Sequence, residues 1–361
     1  MRLTRLWLTN FRGYHSLEAE FAPTFTAVIG RNGAGKTNLL EAIGWLSSLS
    51  SFRGAPTAAM VRQGEEFAVV RAEVERDGRT LLLEAQLAAT GRNRVLVNRQ
   101  PLRQARELLG ALRVTVFTPD DLVVVKGGPS ERRRFVDEAL VARRPKLAAL
   151  RSELDRVLRQ RNTLLKQSGH RLDEAAALTL DVWDEKLVTT GEALADERLE
   201  LLKELEPALN RTYAALAGRE APLGLTYEAS WQDVGLARAV ADGRQEDVRR
   251  KVSTVGPHRD DVGITLNGLP ARTHASQGEQ RTVALALRLA VHDLVAEAAG
   301  SAPVLLLDDV FSELDPTRSA ALLASLPEGQ VLLTTAGPLP PGASAESTLT
   351  IRDGQAVSSA G

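Results

Sequence analysis

Gly30-Arg31-Asn32-Gly33-Ala34-Gly35-Lys36-Thr37 joins the apolar run FTAVIG to the segment NLLEAIGWL. The pattern G-x-x-x-x-G-K-T lies here between a strand and a helix, the context in which it cradles phosphates. Glycines let backbone N–H groups close around the anion, and the helix N-terminus adds the positive end of its dipole. Lys36 is placed to reach the β- and γ-phosphates of a nucleoside triphosphate, and Thr37 to offer its hydroxyl to Mg²⁺. Asn38 is counted with the loop as a nucleotide-contacting position. The bland alternative is a tight glycine turn ahead of a helix.

Two further segments carry matching chemistry. In PVLLLDDVFSELD an apolar run leads into Asp308 and Asp309. A buried parallel strand reads as a continuous apolar run, and carboxylates at its C-terminal end reach the crevice where α/β sheets bind ligands. Asp308 suits the Mg²⁺ shell, which P-loop enzymes complete with an acidic residue. Asp309 is then placed to orient or activate the attacking water. An N-cap pair for the following segment is the competing reading. Ser276-Gln277-Gly278-Glu279-Gln280 precedes a helical pattern with Val283, Leu285, Leu287 and Leu289. Serine with glutamate three residues on is a capping box. The same geometry presents free N–H groups to an anion, and spacing alone does not separate the two.

These residues need strands and helices to hold them. From Arg2 to about Thr118 the pattern is strand-like: LTRLWLTNF alternates, and EFAVVRAEVERDGRTLLLEAQL reads as a hairpin turning at Asp77-Gly78. TGRNRVLVNRQPL is a shorter hairpin, and RQARELLGAL is predicted helical. From about Pro119 to Pro207 the character is helical. Leu147, Leu150, Leu154 and Val157 recur at spacings of three and four, and Leu164 resumes that register after Arg161. Gln167-Ser168-Gly169-His170 is the expected turn, and a second long helix runs to about Leu205 with Leu187, Leu194 and Leu201 seven apart. From about Arg249 strands and helices alternate again, through VGITLNGL, QGEQRTVALALRLAVHDLVAEA, PVLLLDDV, QVLLTTA and TLTIRDGQA. The expected fold is α/β, with a head split into residues 1–118 and 249–361 and a mainly helical lobe, residues 119–248, inserted between them.

Composition narrows the classes. The 361 residues suffice for two lobes. A net charge of -1 announces no general affinity for nucleic acid, so any DNA contact must be local. The absence of cysteine excludes disulfides and cysteine-based zinc sites. No apolar run approaches the roughly 18 residues of a membrane helix, and MRLTRLWLTNFRGY lacks a signal-peptide core. A cytoplasmic location without a membrane partner is the expectation.

Together, GRNGAGKT, SQGEQ and LLLDDVFSELD resemble the phosphate loop, signature and acidic strand of ABC-type ATPases. In that superfamily the signature of one subunit caps the ATP held by the other. The resemblance therefore implies an ATP-dependent homodimer, with Ser276, Gln277, Gly278, Glu279 and Gln280 as nucleotide contacts in trans. Most members carry glutamate where this chain has Asp309, which implies slow hydrolysis. Lys36 and Asp308 lie 272 positions apart, whereas a transporter nucleotide-binding subunit is much more compact. LTNFRGYHSLEAEF and NLLEAIGWL look like the SMC-type repair branch. Within it VKGGPSERRRFVDEAL, GPHRDD, ASQGEQRTVALALRLA and LLLDDVFSELD resemble the RecF family, from the first strand to about Asp315. That resemblance implies an ABC-type ATPase head with mixed sheets, ATP and Mg²⁺ as ligands, and a homodimer on duplex DNA near gaps or junctions. It also implies RecR and RecO as partners in loading RecA at replication gaps. The rival reading is a nucleotide-binding subunit of an ABC-type transporter, with a membrane partner and no DNA dependence. A monomeric P-loop kinase leaves SQGEQ unexplained.

Weaker signals remain. His258 and Arg259 in GPHRDD match a family motif, although a His after Pro is as readily structural. Gln63 matches the superfamily glutamine that links the γ-phosphate to the helical lobe, or is a surface-loop residue. Arg132, Arg133 and Arg134 read as a solvated face. Residues 120–171 carry 13 basic and 7 acidic side chains and residues 172–206 carry 3 and 11, so the two helical halves should pair with each other. Arg92, Arg94, Arg99, Arg103, Arg106 and Arg113 face only Glu107 in residues 90–113. A hairpin with that excess suits a phosphate backbone, and with no aromatic residue among them duplex contact is favoured over stacking on single strands.

Overall fold

The computed structural model describes residues 1–168, 172–352 and 354–360. Residues 1–121, 211–220 and 281–361 form one compact unit; residues 122–210 and 221–280 form a second.

The first unit holds two six-stranded sheets. One runs in the order β2-β1-β4-β5-β6-β7, from β1 (Arg2–Phe11), β2 (Tyr14–Glu20), β4 (Phe67–Arg76), β5 (Arg79–Ala88), β6 (Arg94–Val97) and β7 (Gln100–Pro101), with every pair antiparallel. β4 and β5 turn at Asp77-Gly78, both in the left-handed region at φ 51° and 72°, as a two-residue hairpin requires. The other sheet runs β15-β14-β3-β13-β12-β8, from β3 (Phe25–Ile29), β8 (Val114–Phe117), β12 (Val304–Asp308), β13 (Val331–Thr335), β14 (Ser347–Arg352) and β15 (Gln355–Ala360). Its pairs are parallel except β14 with β15. VLLLD of β12 and VLLTT of β13 are buried at every position, which explains their unbroken apolar runs. Helix α1 (Lys36–Ser48) follows β3. Its Leu39, Leu40, Ile43, Trp45 and Leu46 join Leu3, Leu6, Leu8, Val70 and Leu332 in one core, so the helix that carries the phosphate loop is fixed by about five buried apolar side chains.

The second unit combines α2 (Pro129–Arg143), α3 (Leu147–Gln167), most of α4 (Glu174–Ala217) and α5 (Leu236–Arg250) with a sheet of β9 (Leu223–Glu228), β10 (Asp261–Leu266) and β11 (Leu269–Pro270). Helix α6 (Gln277–Ala299) begins in this unit and continues in the first, which also holds α7 (Pro316–Ala324). The division expected near residue 249 thus falls inside the second unit, because β10 pairs with β9 along six residues. Leu187, Leu194 and Leu201 are buried as their spacing predicts. On α3 the buried residues are Leu154, Val157, Arg161 and Leu165. Arg161 therefore continues the buried stripe rather than interrupting it, and Leu165, not Leu164, follows it.

Two helical expectations change. RQARELLGAL forms only a 3₁₀ turn at Ala105–Leu108, since Gly110 turns left-handed at φ 88° and only Leu108 and Leu112 are buried. Helix α4 does not stop near Leu205 but runs through Pro207. Buried Leu205, Ala208, Leu209 and Tyr213 around it hold the helix despite the missing donor. Gly169 and His170 of the expected turn lie outside the described residues. Among the described residues no helix is long and apolar enough to cross a membrane.

Candidate nucleotide site

The phosphate loop leaves β3 and wraps onto the N-terminus of α1. Gly33 and Gly35 sit at φ 80° and 109°, where a side chain brings strain. At Gly35 a Cβ would also lie 2.7 Å from the Tyr14 hydroxyl, and at Gly30 one would lie 2.7 Å from the Ile351 carbonyl oxygen. The loop glycines are thus required by conformation and by close neighbours together. No side chain caps α1 at Gly35, so the first-turn N–H groups and the helix dipole are available to an anion. The adjoining cavity of about 780 Å³ is lined by Gly30 to Gly35, Asn38, the Gly13-Tyr14 turn, Ala336 and the β14–β15 hairpin at Thr350, Ile351, Arg352 and Gly354. That volume falls within the roughly 300–1,000 Å³ of small-molecule sites.

Lys36 is buried and its Nζ donates to the Gly30 and Arg31 carbonyls at 2.8 and 3.1 Å. Tyr14 donates its hydroxyl to the Gly35 carbonyl at 2.9 Å. Burial pushes that phenol well above its ordinary range, so it stays a neutral donor. Thr37 Oγ1 donates to Asp308 Oδ1 at 3.0 Å, and Thr334 Oγ1 donates to the same oxygen at 2.7 Å. The Asp309 N–H in turn donates to Thr334 Oγ1 at 2.9 Å. Burial raises the Asp308 carboxyl above its ordinary range; the Thr334 and Thr37 hydroxyls and Lys36 pull it back down, and Asp309 pushes it up.

A hydroxyl and a carboxylate oxygen 3.0 Å apart match two adjacent corners of an Mg²⁺ octahedron, about 2.9 Å apart for bonds of about 2.0–2.1 Å. Thr37 and Asp308 therefore fit Mg²⁺, with water and phosphate left to complete its shell. Asp309 is half-buried and sits at φ 50°, ψ 31°, a left-handed conformation that Asp and Asn tolerate better than most residues.

The sequence missed Thr334, Tyr14 and the β14–β15 wall. Tyr14 stands in the LTNFRGY segment, but no spacing rule ties it to a glycine loop, and Thr334 is one of two threonines ending a buried strand. Of the expected residues, Lys36, Thr37, Asn38, Asp308 and Asp309 all lie in the first unit with the loop. Ser276 to Gln280 lie in the second. There Ser276 Oγ and Glu279 form the capping box, with the Ser276 N–H and hydroxyl each donating to Glu279 Oε2 at 2.8 Å. Gln280 Nε2 donates to the Ala271 and Arg272 carbonyls, while Ser276 and Gln277 are exposed. Gln63 is exposed in a turn and does not line the cavity.

The GPHRDD residues serve the second unit's own framework. His258 Nε2 and the Arg259 guanidinium converge on the Ser253 carbonyl. Asp260 accepts from Tyr227 and Trp231. Asp261 takes both branches of Arg132, which is buried rather than solvated. Arg133 donates to the Asp260 carbonyl, and only Arg134 is exposed. The two helical halves do pair: Arg143 with Glu204, Arg144 with Glu197 and Glu200, and Arg161 with Asp184.

Residues 2–336 match the family described as RecF/RecN/SMC N terminal domain. The sequence is 44% identical over 355 residues to the DNA replication and repair protein RecF of Frankia alni, with 93% of each chain covered. The chain belongs to the RecF family. RecF of Streptomyces avermitilis is 43% identical over 352 residues, again covering 93% of each. The solved recombination mediator protein RecF-ATP of the RecFOR pathway superposes with a TM-score of 0.92 at 30% identity, covering 99% of this chain and 97% of that one. RecF-ATPrS from the same pathway gives 0.91 at 29%, covering 99% and 98%. An Smc head bound to the C-winged helix domain of ScpA gives 0.59 at 19%, covering 100% and 98%, which shows the shared head fold. This RecF-family chain is an ATPase with an ABC-type head of mixed sheets and an added helical region.

Proposed function

We propose that this RecF-family ATPase binds ATP at the Gly30–Thr37 loop, closes as a homodimer around it, and engages duplex DNA near gaps or junctions during replication and repair. The observation that carries the reading is that Lys36 Nζ bonds the carbonyls of a loop whose glycines line a cavity, and Thr37, the next residue, bonds Asp308. Lys36 neutralises the β- and γ-phosphates, and the loop amides hold their oxygens. Bound Mg²⁺, held by Thr37 and Asp308, would supply charge neutralisation at the phosphates. Asp309 orients and deprotonates the attacking water, its short side chain making hydrolysis slow. Ser276 to Gln280 of the second subunit face the nucleotide in trans, their capping-box geometry already presenting a helix N-terminus. The likeness to RecF proteins of the RecFOR pathway supports a place beside RecR and RecO proteins in recombinase loading, and the reading places that work in the cytoplasm.

Sedimentation velocity with and without ATP tests the reading. Wild type should shift to a dimer with ATP, and duplex DNA should co-sediment only then. Asp309→Asn preserves the left-handed tolerance and removes the charge, so it should accumulate as ATP-bound dimer with turnover reduced at least about tenfold. Lys36→Met should lose nucleotide-dependent behaviour entirely. Ser276→Arg should bind ATP as a monomer and fail to dimerise. A Lys36→Met protein that hydrolyses ATP at the wild-type rate would remove the phosphate loop from the reaction.

A further inference from the structure

The first unit sorts the charges on its antiparallel sheet by position. Along β1, β2 and β4 arginines find carboxylates, Arg2 with Glu75, Arg5 with Glu20 and Arg71 with Glu84. Arg79, which opens β5, is exposed and unmatched among the described residues, and beyond β5 such arginines follow in a row. Arg92, Arg94, Arg99, Arg103 and Arg106 are all exposed, and among the described residues none of their side chains makes an ion pair or hydrogen bond. Arg92 enters β6, Arg94 lies on it, Arg99 leaves it, and Arg103 and Arg106 follow β7. At about 3.3 Å per residue, the run from Arg92 to Arg99 reaches roughly 20 Å, or about six phosphate steps of one DNA strand at about 3.4 Å. Arg113 does not belong to this row. It is half-buried beside Arg76, and burial and that neighbour both lower its pKa.

The backbone at Arg99 adds an independent observation. Among the described residues, three hairpins turn on two left-handed residues: Asp77-Gly78, Asn98-Arg99 and Asn267-Gly268. The second position is glycine in two of them, at φ 72° and 77°, and arginine in the third, at φ 65°. A Cβ is disfavoured there, and among the described residues no ion pair or hydrogen bond of the Arg99 side chain offsets it. An arginine held in a glycine's position, at the tip of an unmatched basic row, points to an external anion.

We propose that the β6–β7 hairpin and the segment after it form a duplex-DNA backbone contact surface. The inference rests on the DNA-dependent reading above and names the surface that reading requires. With no aromatic residue from Arg92 to Arg113, the row offers no stacking platform for unpaired bases. Nor does it carry the aromatic anchors that concentrate energy in protein–protein interfaces. Repeated phosphates are the partner its chemistry fits.

Fluorescence anisotropy of a labelled duplex, with ATP and Mg²⁺ across a potassium chloride series, tests it. Arg92→Ala, Arg94→Ala, Arg99→Ala and Arg103→Ala combined should flatten the slope of log affinity against log salt by roughly 2–4, at about 0.9 per phosphate contact. Affinity should fall more than about tenfold for all sequences alike. The matched pair Arg5→Ala and Arg71→Ala, on the same sheet, should change the slope by less than about one. Arg99→Gly separates structure from function: it relieves the turn, so its melting temperature should rise while duplex affinity falls. An unchanged salt slope in the quadruple variant, or wild-type duplex affinity in Arg99→Gly, overturns the surface and leaves the ATPase reading intact. Wild-type protein that never binds duplex with ATP overturns both. Loss of binding to polyglutamate with duplex binding retained would reassign the row to an acidic protein and overturn the proposal.

Discussion

At the scale of single residues, Thr334 uses one hydroxyl twice. It donates to Asp308 and accepts from the Asp309 N–H, so it sets the angle between a metal-binding carboxylate and the neighbour assigned to the water. Valine has the same shape without either capacity. Thr334→Val leaves Asp308 with the Thr37 hydroxyl alone and orphans a backbone donor, a loss of about 1–3 kcal/mol in stability. Because the disturbed groups act on Mg²⁺ and water rather than on the nucleotide's β-phosphate, kcat should fall about tenfold or more while ATP affinity measured without Mg²⁺ stays near wild type. Steady-state kinetics and nucleotide titration with and without Mg²⁺ separate the two quantities. Equal losses in both would make Thr334 a general support of the loop. Threonine at the end of an apolar strand carries no such message in sequence, since its partners, Asp308 and the Asp309 N–H, lie on another strand's end, 26 and 25 positions away.

Elements explain how the cavity wall is held. Glu41 on α1 is fully buried and receives both branches of Arg12, at 2.8 and 2.7 Å, together with the Ser51 hydroxyl. Arg12 also donates to the Ala59 carbonyl. One helix carboxylate thus fastens the Arg12-Gly13-Tyr14 turn, and Gly13 and Tyr14 line the cavity. Glu41→Gln keeps the shape but faces the Arg12 guanidinium with a neutral amide. Stability should drop by about 1–3 kcal/mol. KM for ATP should rise several-fold with kcat at saturation little changed, since the wall moves and the catalytic carboxylates do not. A melting shift without any change in KM would confine Glu41 to the core. The helix pattern of NLLEAIGWL predicted α1, yet a glutamate within it reads as a solvated position. Arg161 misled in the same way: as sequence it broke an apolar register, whereas Asp184, Asp247 and Ser253 take its donors inside the second unit. Patterns of apolar spacing assume that buried means uncharged, and both residues are buried because a partner distant in sequence satisfies them. The glycine loop and the two fully buried strands were legible because local chemistry alone dictates them. RQARELLGAL was not, because its leucine spacing imitates a helix that Gly110 ends.

At the scale of the whole molecule, among the described residues each compact unit encloses one histidine that burial holds neutral, and this sets an acid limit on stability. His292 in the first unit is almost wholly buried, and its Nδ1 lies 3.1 Å from the Thr115 hydroxyl. Burial lowers its pKa from 6.5 to about 4. His258 in the second is lowered to about 4 by burial first, then by Arg259, Arg133 and Arg161, against the Ser253 carbonyl. The unfolded chain takes up a proton on each as pH falls below 6.5, while the folded chain does not until about pH 4. Their contribution is therefore complete above the unfolded pKa and is lost as pH falls through the window from 6.5 to 4, at up to about 1.4 kcal/mol per pH unit for each. Half-buried Asp184 and buried Asp260 and Asp308 act in the opposite sense, since loss of solvent raises their pKa and the folded state binds their protons first. A single histidine substitution removes one uptake step and leaves the carboxylates in place, so the difference from wild type isolates it. His292→Gln can retain the bond to Thr115 and has no proton to gain. Near pH 7.5 the variant should be less stable than wild type, because an amide packs the ring's space poorly. Between pH 6.5 and 4.5 the gap should close progressively as wild type alone pays for keeping His292 neutral. Denaturant melts across that range provide the measurement. Parallel stability curves, with the gap constant at every pH, would mean that His292 is protonated equally in the folded and unfolded chain and that its burial imposes no acid limit.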